Sequence, residues 1–188
     1  NEIKSVAITG ATGLIGSELV KSLESKNIKV IRLTTKKSSK ENDIQWDPAS
    51  GYISDVNKIN GVDAIINLAG ENVGSGEGIL AATGRWTPSK KDKILNSRIN
   101  STKLIVDTIS KLTKKPKVLL SASAIGYYGN TDSDEIYDET TPRGTGFLSD
   151  VCVATESEAE KSKSLGVRLV LLRTSVVLSP KAGVLAKL

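Results

Sequence analysis

The 188-residue sequence has no histidine, no methionine and a single cysteine, Cys152. One cysteine rules out an internal disulfide framework, and the lack of histidine argues against a zinc site or a Ser-His-Asp hydrolase, so any chemistry rests on other groups. Aromatic residues make up only 4% of the chain, too few for the stacking platforms of a single-stranded nucleic-acid binder. The formal net charge is +5, but the lysines are scattered over helical faces, which reads as solvated surface and not as a nucleic-acid footprint. No apolar stretch reaches the ~18 residues of a membrane span. The N-terminus runs straight into Ile3, Val6 and Ile8 without a basic region and apolar signal core. Neither nucleic acid nor membrane is therefore expected as a partner, and a homodimer is compatible with what remains. The expected setting is the cytoplasm, or an organelle stroma or matrix after removal of a targeting segment. Methionine is missing even at position 1 and Leu188 comes just after a strand-like run, so a cropped chain is expected.

What is present alternates. Short β-branched apolar runs at 5–9, 29–33, 63–68, 117–121 and 167–172, with a small strand near 44–46, are separated by segments of helical period. Leu14, Ile15, Leu19, Val20 and Leu23 recur at helical spacing after the first run. Ile94, Leu95, Ile99, Val106, Ile109 and Leu112 mark one side of a long helix over 88–112, and 148–165 is another helix. Such a series is the signature of an α/β fold, a doubly wound parallel sheet with flanking helices. No linker divides it, and one domain over 1–188 is expected.

Between the first strand and the first helix stands Thr9, Gly10, Ala11, Thr12, Gly13, Leu14, Ile15, Gly16. A glycine at the strand end allows a tight turn, the second lets backbone approach a pyrophosphate, and the third lets helix pack on strand. The helix start then offers free N–H groups to the phosphates. Residues 10–16 are accordingly expected to hold a dinucleotide, the alternative being a purely structural glycine turn. At the end of the second strand, where an acidic residue commonly meets the ribose 2′-hydroxyl of NAD, the sequence has Thr34, Thr35, Lys36, Lys37, Ser38. No carboxylate is available, whereas Lys36 or Lys37 can neutralise a 2′-phosphate and Thr35 or Ser38 can hydrogen-bond it. NADP(H) is thus expected over NAD(H); the alternative is that these lysines form a solvated loop.

Further strings carry a family resemblance: NLAGEN (67–72), GRWTPSKK (84–91), ILNSR (94–98), SASAIGYYG (121–129) and LLRTSVVL (171–178). Together with the glycine turn they resemble the atypical short-chain dehydrogenase/reductases, NAD-dependent epimerase/dehydratase family proteins of the SDR39U1-like type, over nearly the whole chain. The resemblance implies a Rossmann-like domain followed by a small C-terminal substrate lobe, expected to be missing or not seen in this chain. It also implies that Leu68, Ala69, Gly70 and Ser121 border the cofactor. Typical short-chain dehydrogenases use a strand serine and Tyr-x-x-x-Lys on the next helix; here Ser123 matches the serine, but Leu148 and Cys152 stand at the tyrosine and lysine positions, and Arg98 replaces a helix asparagine.

Without that relay, Ser123 and Tyr127 lead the expected catalytic residues, followed by Tyr128, with Arg98 stabilising a phenolate or an anionic substrate; either tyrosine can instead simply cap the sheet edge. Cys152, with no histidine to activate it, reads as helix packing. Thr87 is placed to cap the long helix with Pro88 in its first position. Arg85 and Trp86 either pack or line a substrate cleft, and 75–83 reads as an insertion in a glycine-rich loop. Two functions are compatible with this pattern: an NADP(H)-dependent oxidoreductase or epimerase-like enzyme acting on a small molecule, and a protein that senses NADP(H) without turnover.

Overall fold

The computed structural model describes residues 2–73, 86–130 and 134–181. The described residues form seven strands: β1 (Ser5–Thr9), β2 (Lys29–Thr34), β3 (Asp43–Asp47), β4 (Tyr52–Ile53), β5 (Ala64–Asn67), β6 (Val118–Ala124) and β7 (Arg168–Thr174). They make one sheet in the order β4-β3-β2-β1-β5-β6-β7. All neighbours are parallel except the terminal β3–β4 hairpin. The three α-helices among the described residues are α1 (Leu14–Ser25), α2 (Pro88–Lys111) and α3 (Phe147–Glu160).

Nearly continuous apolar strands arise because both sheet faces are covered. Val6, Ile8, Ala64, Ile66 and Val118 point to the layer that includes Val20 of α1. The alternate residues Ala7, Ile65 and Leu119 point to Leu104, Ile105 and Ile109 of α2, and α2 in turn packs against α3. The result is the expected Rossmann-like doubly wound sheet, whose order reverses between β1 and β5 and opens a crevice at their C-terminal ends.

Local chemistry sets the helix boundaries. Thr87 Oγ1 accepts the Lys90 N–H at 3.2 Å and Pro88 occupies the first turn of α2, as its sequence implies. The helix expected over 148–165 is α-helical only to Glu160. Residues Lys161–Leu165 tighten into a 3-10 turn before the chain reverses at Gly166 into β7. Strand β4 was not expected, because two residues carry no readable alternation; it exists through its pairing with Trp46 and Asp47.

The edge opposite the crevice is tied by Asp63. Its carboxylate accepts the backbone N–H groups of Lys4 and Ser5 at 2.9 and 3.1 Å and the Lys117 ammonium at 2.9 Å. The Lys4 N–H, then Lys117 and Ser5, outweigh partial burial and hold its pKa down at about 2. A carboxylate depressed on folding contributes stability above its unfolded value near ~4 and loses that contribution as the pH falls through its folded value. The full-length protein is therefore expected to lose stability between about pH 4 and pH 2 in urea unfolding. Asp63→Asn should flatten that limb; an unchanged slope would contradict the assignment.

Candidate dinucleotide and active site

At the end of β1 the chain turns at Gly10 with φ +68°, and a Cβ there would lie 2.8 Å from the carbonyl carbon and oxygen of Leu68. Strands β1 and β5 can therefore part this closely only over glycine. At Gly16 a Cβ would stand 2.2 Å from the Gly10 oxygen, so α1 starts pressed onto the turn. Gly13 differs: it precedes α1 as N-cap without a side-chain cap, and a Cβ there would meet only the Gly10 oxygen, at 3.3 Å. Its absent side chain leaves the helix start open where the first N–H groups have no intrahelical acceptor and the dipole is positive.

Beneath this turn lies a buried polar network that sequence reasoning missed. Thr9, Asn67 and Ser121 stand side by side in register on β1, β5 and β6. Thr9 Oγ1 donates to Asn67 Oδ1 at 2.6 Å and accepts the N–H groups of Leu68 and Ala69, both at 3.1 Å. Asn67 Nδ2 donates to Thr102 Oγ1 of α2 at 3.1 Å. The available signal was a polar residue closing each of two otherwise apolar strand runs. Ser121 is fully buried, its hydroxyl without a partner among the described residues. It lies under the crevice and not in it.

Above the network a cleft of about 1070 Å³ follows the C-terminal edge of the sheet. Of the residues expected at a cofactor, Gly10, Ala11, Thr12, Ala69 and Gly70 line its middle and Thr35 and Lys36 one end. Gly13, Leu14, Ile15 and Gly16 form the helix start, while Leu68 packs into the layer under α1. Lys37 does not line the cleft, whereas Lys40 and Arg32 do. Arg32 Nε donates to Asp43 at 2.7 Å, and Ser38 Oγ donates to the same carboxylate at 2.6 Å. Burial acts to raise Asp43, but Ser38 and Arg32 outweigh it and keep the carboxyl below its ordinary value. The basic end thus holds the Asp43 carboxylate in a paired state. Arg32 was hidden from sequence reasoning inside an apolar strand.

The expected reaction residues gather at the ends of β6 and β7 but are already engaged. Ser123 Oγ donates to Glu156 of α3 at 2.6 Å, and Glu156 takes a two-point contact from Arg173 of β7, at 2.9 and 2.8 Å. Arg173 also donates to the Tyr128 hydroxyl at 3.0 Å, and that hydroxyl donates to the Asp138 carbonyl at 2.8 Å. The guanidinium lies 3.5 Å from the Tyr127 ring centroid. The cation at the tyrosines is therefore Arg173, not the expected Arg98. Arg173 could have been suspected from the string LLRTSVVL, where it is the one charge. Arg98 instead lies against Gly70. Leu148 is partly exposed, while Cys152 is buried, its thiol pushed up by that burial. Trp86 packs on Phe147 and donates to the Val73 carbonyl at 3.0 Å, away from the cleft lining. Arg85 and 75–83 lie outside the described residues.

Comparison with known proteins agrees with this geometry. The model of the NAD dependent epimerase/dehydratase family matches residues 6–187. The chain belongs to that family. Among its epimerase relatives, a Mycobacterium bovis epimerase family protein is 37% identical over 183 residues, covering 97% of this chain and 57% of the relative. The chloroplastic SDR39U1 homolog of Arabidopsis thaliana is 38% identical over 192 residues, covering 97% and 51%. The chain thus spans little more than half the length of these relatives. Two crystal structures superpose well: the nucleoside-diphosphate sugar epimerase of Corynebacterium glutamicum and human epimerase family protein SDR39U1 with NADPH. The first has TM-score 0.81 and 31% identity, covering 99% of this chain and 37% of that one; the second has 0.77 and 28%, covering 97% and 57%. These likenesses place the epimerase-family chain in the atypical short-chain dehydrogenase/reductase branch. No described helix is long and apolar enough to cross a membrane.

The Glu156–Arg173 pair generates a direct test. Arg173→Met in the full-length protein leaves Glu156 buried without its counter-charge and should cost about 3 kcal/mol in urea unfolding. Arg173→Met combined with Glu156→Leu should recover most of that loss. Additive losses would mean that the two side chains are not coupled.

Proposed function

We propose that residues 1–188 are the NADP(H)-holding domain of an oxidoreductase or epimerase-like enzyme acting on a small polar molecule. The observation that carries this reading is the Gly13 position: an uncapped helix start, bare of side chain, at the β1–β5 reversal and beside the large cleft. The cleft's donors fit a dinucleotide. Ala11, Thr12 and the first turn of α1 would hold the pyrophosphate. Lys36 and Lys40, with Arg32 behind Asp43, would hold the 2′-phosphate, which favours NADP(H) over NAD(H). The human relative crystallised with NADPH supports the same preference. When bound, the nicotinamide supplies hydride chemistry; Ser123 and Tyr127, at the sheet edge beyond Gly70, would orient a substrate oxygen. The additional length of the relatives would accommodate a substrate lobe beside that end.

A second reading, a sensor of NADP(H) without turnover, is favoured by one observation. The hydroxyls of Ser123 and Tyr128 are committed to Glu156 and Arg173, which agrees with the resemblance placing Leu148 and Cys152 at the usual tyrosine and lysine positions.

Calorimetry on the full-length protein tests the binding reading. Gly13→Val should abolish NADPH binding while leaving the circular dichroism spectrum intact, and Lys36→Ala with Lys40→Ala should weaken NADPH about tenfold more than NADH. Unchanged NADPH affinity in the first variant would remove the cofactor site. Equal losses of both cofactors in the second would remove the 2′-phosphate assignment.

A further inference from the structure

Arg98 is a cation that the site described so far does not use; it stands behind Gly70 and is not itself part of the cleft lining. It lies on α2, half-buried, and its Nη1 donates back to the Ile94 carbonyl at 3.0 Å. Its side chain is laid across Gly70, where a Cβ would come within 3.2 Å of both Cγ and Cζ. Glu71, the adjacent carboxylate, is taken by Lys90, and no carboxylate among the described residues pairs with Arg98. Nε and Nη2 have no acceptor among those residues either. A half-buried guanidinium with only one N–H group bonded among the described residues keeps a fork of donors suited to a planar or two-point oxygen partner. Burial pushes the Arg98 pKa below its ordinary value, with Cys152 and Glu71 opposing that shift.

Its place in the fold says which partner. Gly70 follows β5 and lines the cleft. The basic end formed by Arg32, Lys36 and Lys40 lies on the other side of the order reversal, beside β2 and β3. In a sheet of this order each side of the reversal holds one mononucleotide half. Cys152, which the resemblance aligns with the helix lysine of typical short-chain dehydrogenases, is buried on α3, within electrostatic reach of Arg98.

We infer that Arg98 supplies, from α2, the cation that α3 lacks, and that its free N–H groups grip the ribose and phosphate oxygens of the nicotinamide mononucleotide half of the cofactor. This rests on the dinucleotide reading above, and it makes Arg98 a binding residue of the second half-site, not a partner of Tyr127 or Tyr128. Arg98→Gln removes the charge while keeping a side chain of similar reach.

The experiment is calorimetry on the full-length protein with two ligands, NADPH and 2′,5′-ADP, which keeps the adenosine phosphates and lacks the nicotinamide nucleotide. Arg98→Gln should weaken NADPH about tenfold and leave 2′,5′-ADP within about twofold of the unaltered protein. Arg98→Lys, with charge but no fork, should lose part of the NADPH affinity and none for 2′,5′-ADP, and it carries the test should the glutamine variant not fold. Unchanged NADPH affinity, or equal losses for both ligands, would overturn the assignment. If the unaltered protein binds neither ligand, the dinucleotide reading itself fails and takes this inference with it.

Discussion

The Thr9 hydroxyl is where the parts of this domain meet. Strands β1 and β5 are neighbours whose chains depart toward opposite sides of the sheet, one into the glycine turn and α1, the other into residues 68–70. Two backbone N–H groups at that parting, those of Leu68 and Ala69, would be left without acceptors if Thr9 were apolar. Orphaned buried donors each cost about 1–3 kcal/mol. By accepting both, and by donating to Asn67, which in turn holds Thr102 of α2, one side chain joins two strands, a loop and a helix. The close approach of Gly10 to Leu68 follows from that junction, and the cleft floor follows from the approach.

From this junction the site extends in two chemically different directions. Toward β2 and β3 the lining is basic and solvated, with Asp43 paired to Arg32 and hydrogen-bonded by Ser38. Toward β6 and β7 the charges are internal: Glu156 and Arg173 satisfy each other and fix Ser123 and Tyr128 in the process. A two-point ion pair with little exposure gives orientation more reliably than it gives net stability. Its effect here is to hold hydroxyls in place at the edge where a substrate would approach.

The fold was legible because its signals are local. Five apolar runs, a glycine turn and two capped or periodic helices suffice for a doubly wound sheet, and the parallel order follows from helices between strands. Strand β4 and the 3-10 turn after Glu160 were not legible, since both depend on contacts made after the chain has folded. The site divides the same way. Residues 10–16 are contiguous and could be read directly, whereas Arg32 and Arg173 sit in apolar strands and gain meaning only from Asp43 and Glu156, which the sheet and α3 bring to them. Arg98 was noticed as a cation for a phenolate or an anionic substrate, but the sequence does not reveal that β7 delivers the guanidinium that meets Tyr127 and Tyr128. Ser121 was placed at the cofactor by the family resemblance; its burial becomes apparent only once β5 and β7 flank it.

The most direct test of the account is residue-level mapping of NADPH on the full-length protein by amide nuclear magnetic resonance. The account predicts that titration perturbs the amides of Gly10, Ala11, Thr12, Gly13 and Leu14 together with those of Ala69 and Gly70, and leaves Asp63 and Lys117 at the opposite sheet edge unchanged. Saturating NADPH with no perturbation at the glycine turn, or with perturbations centred on the Asp63 edge, would contradict it.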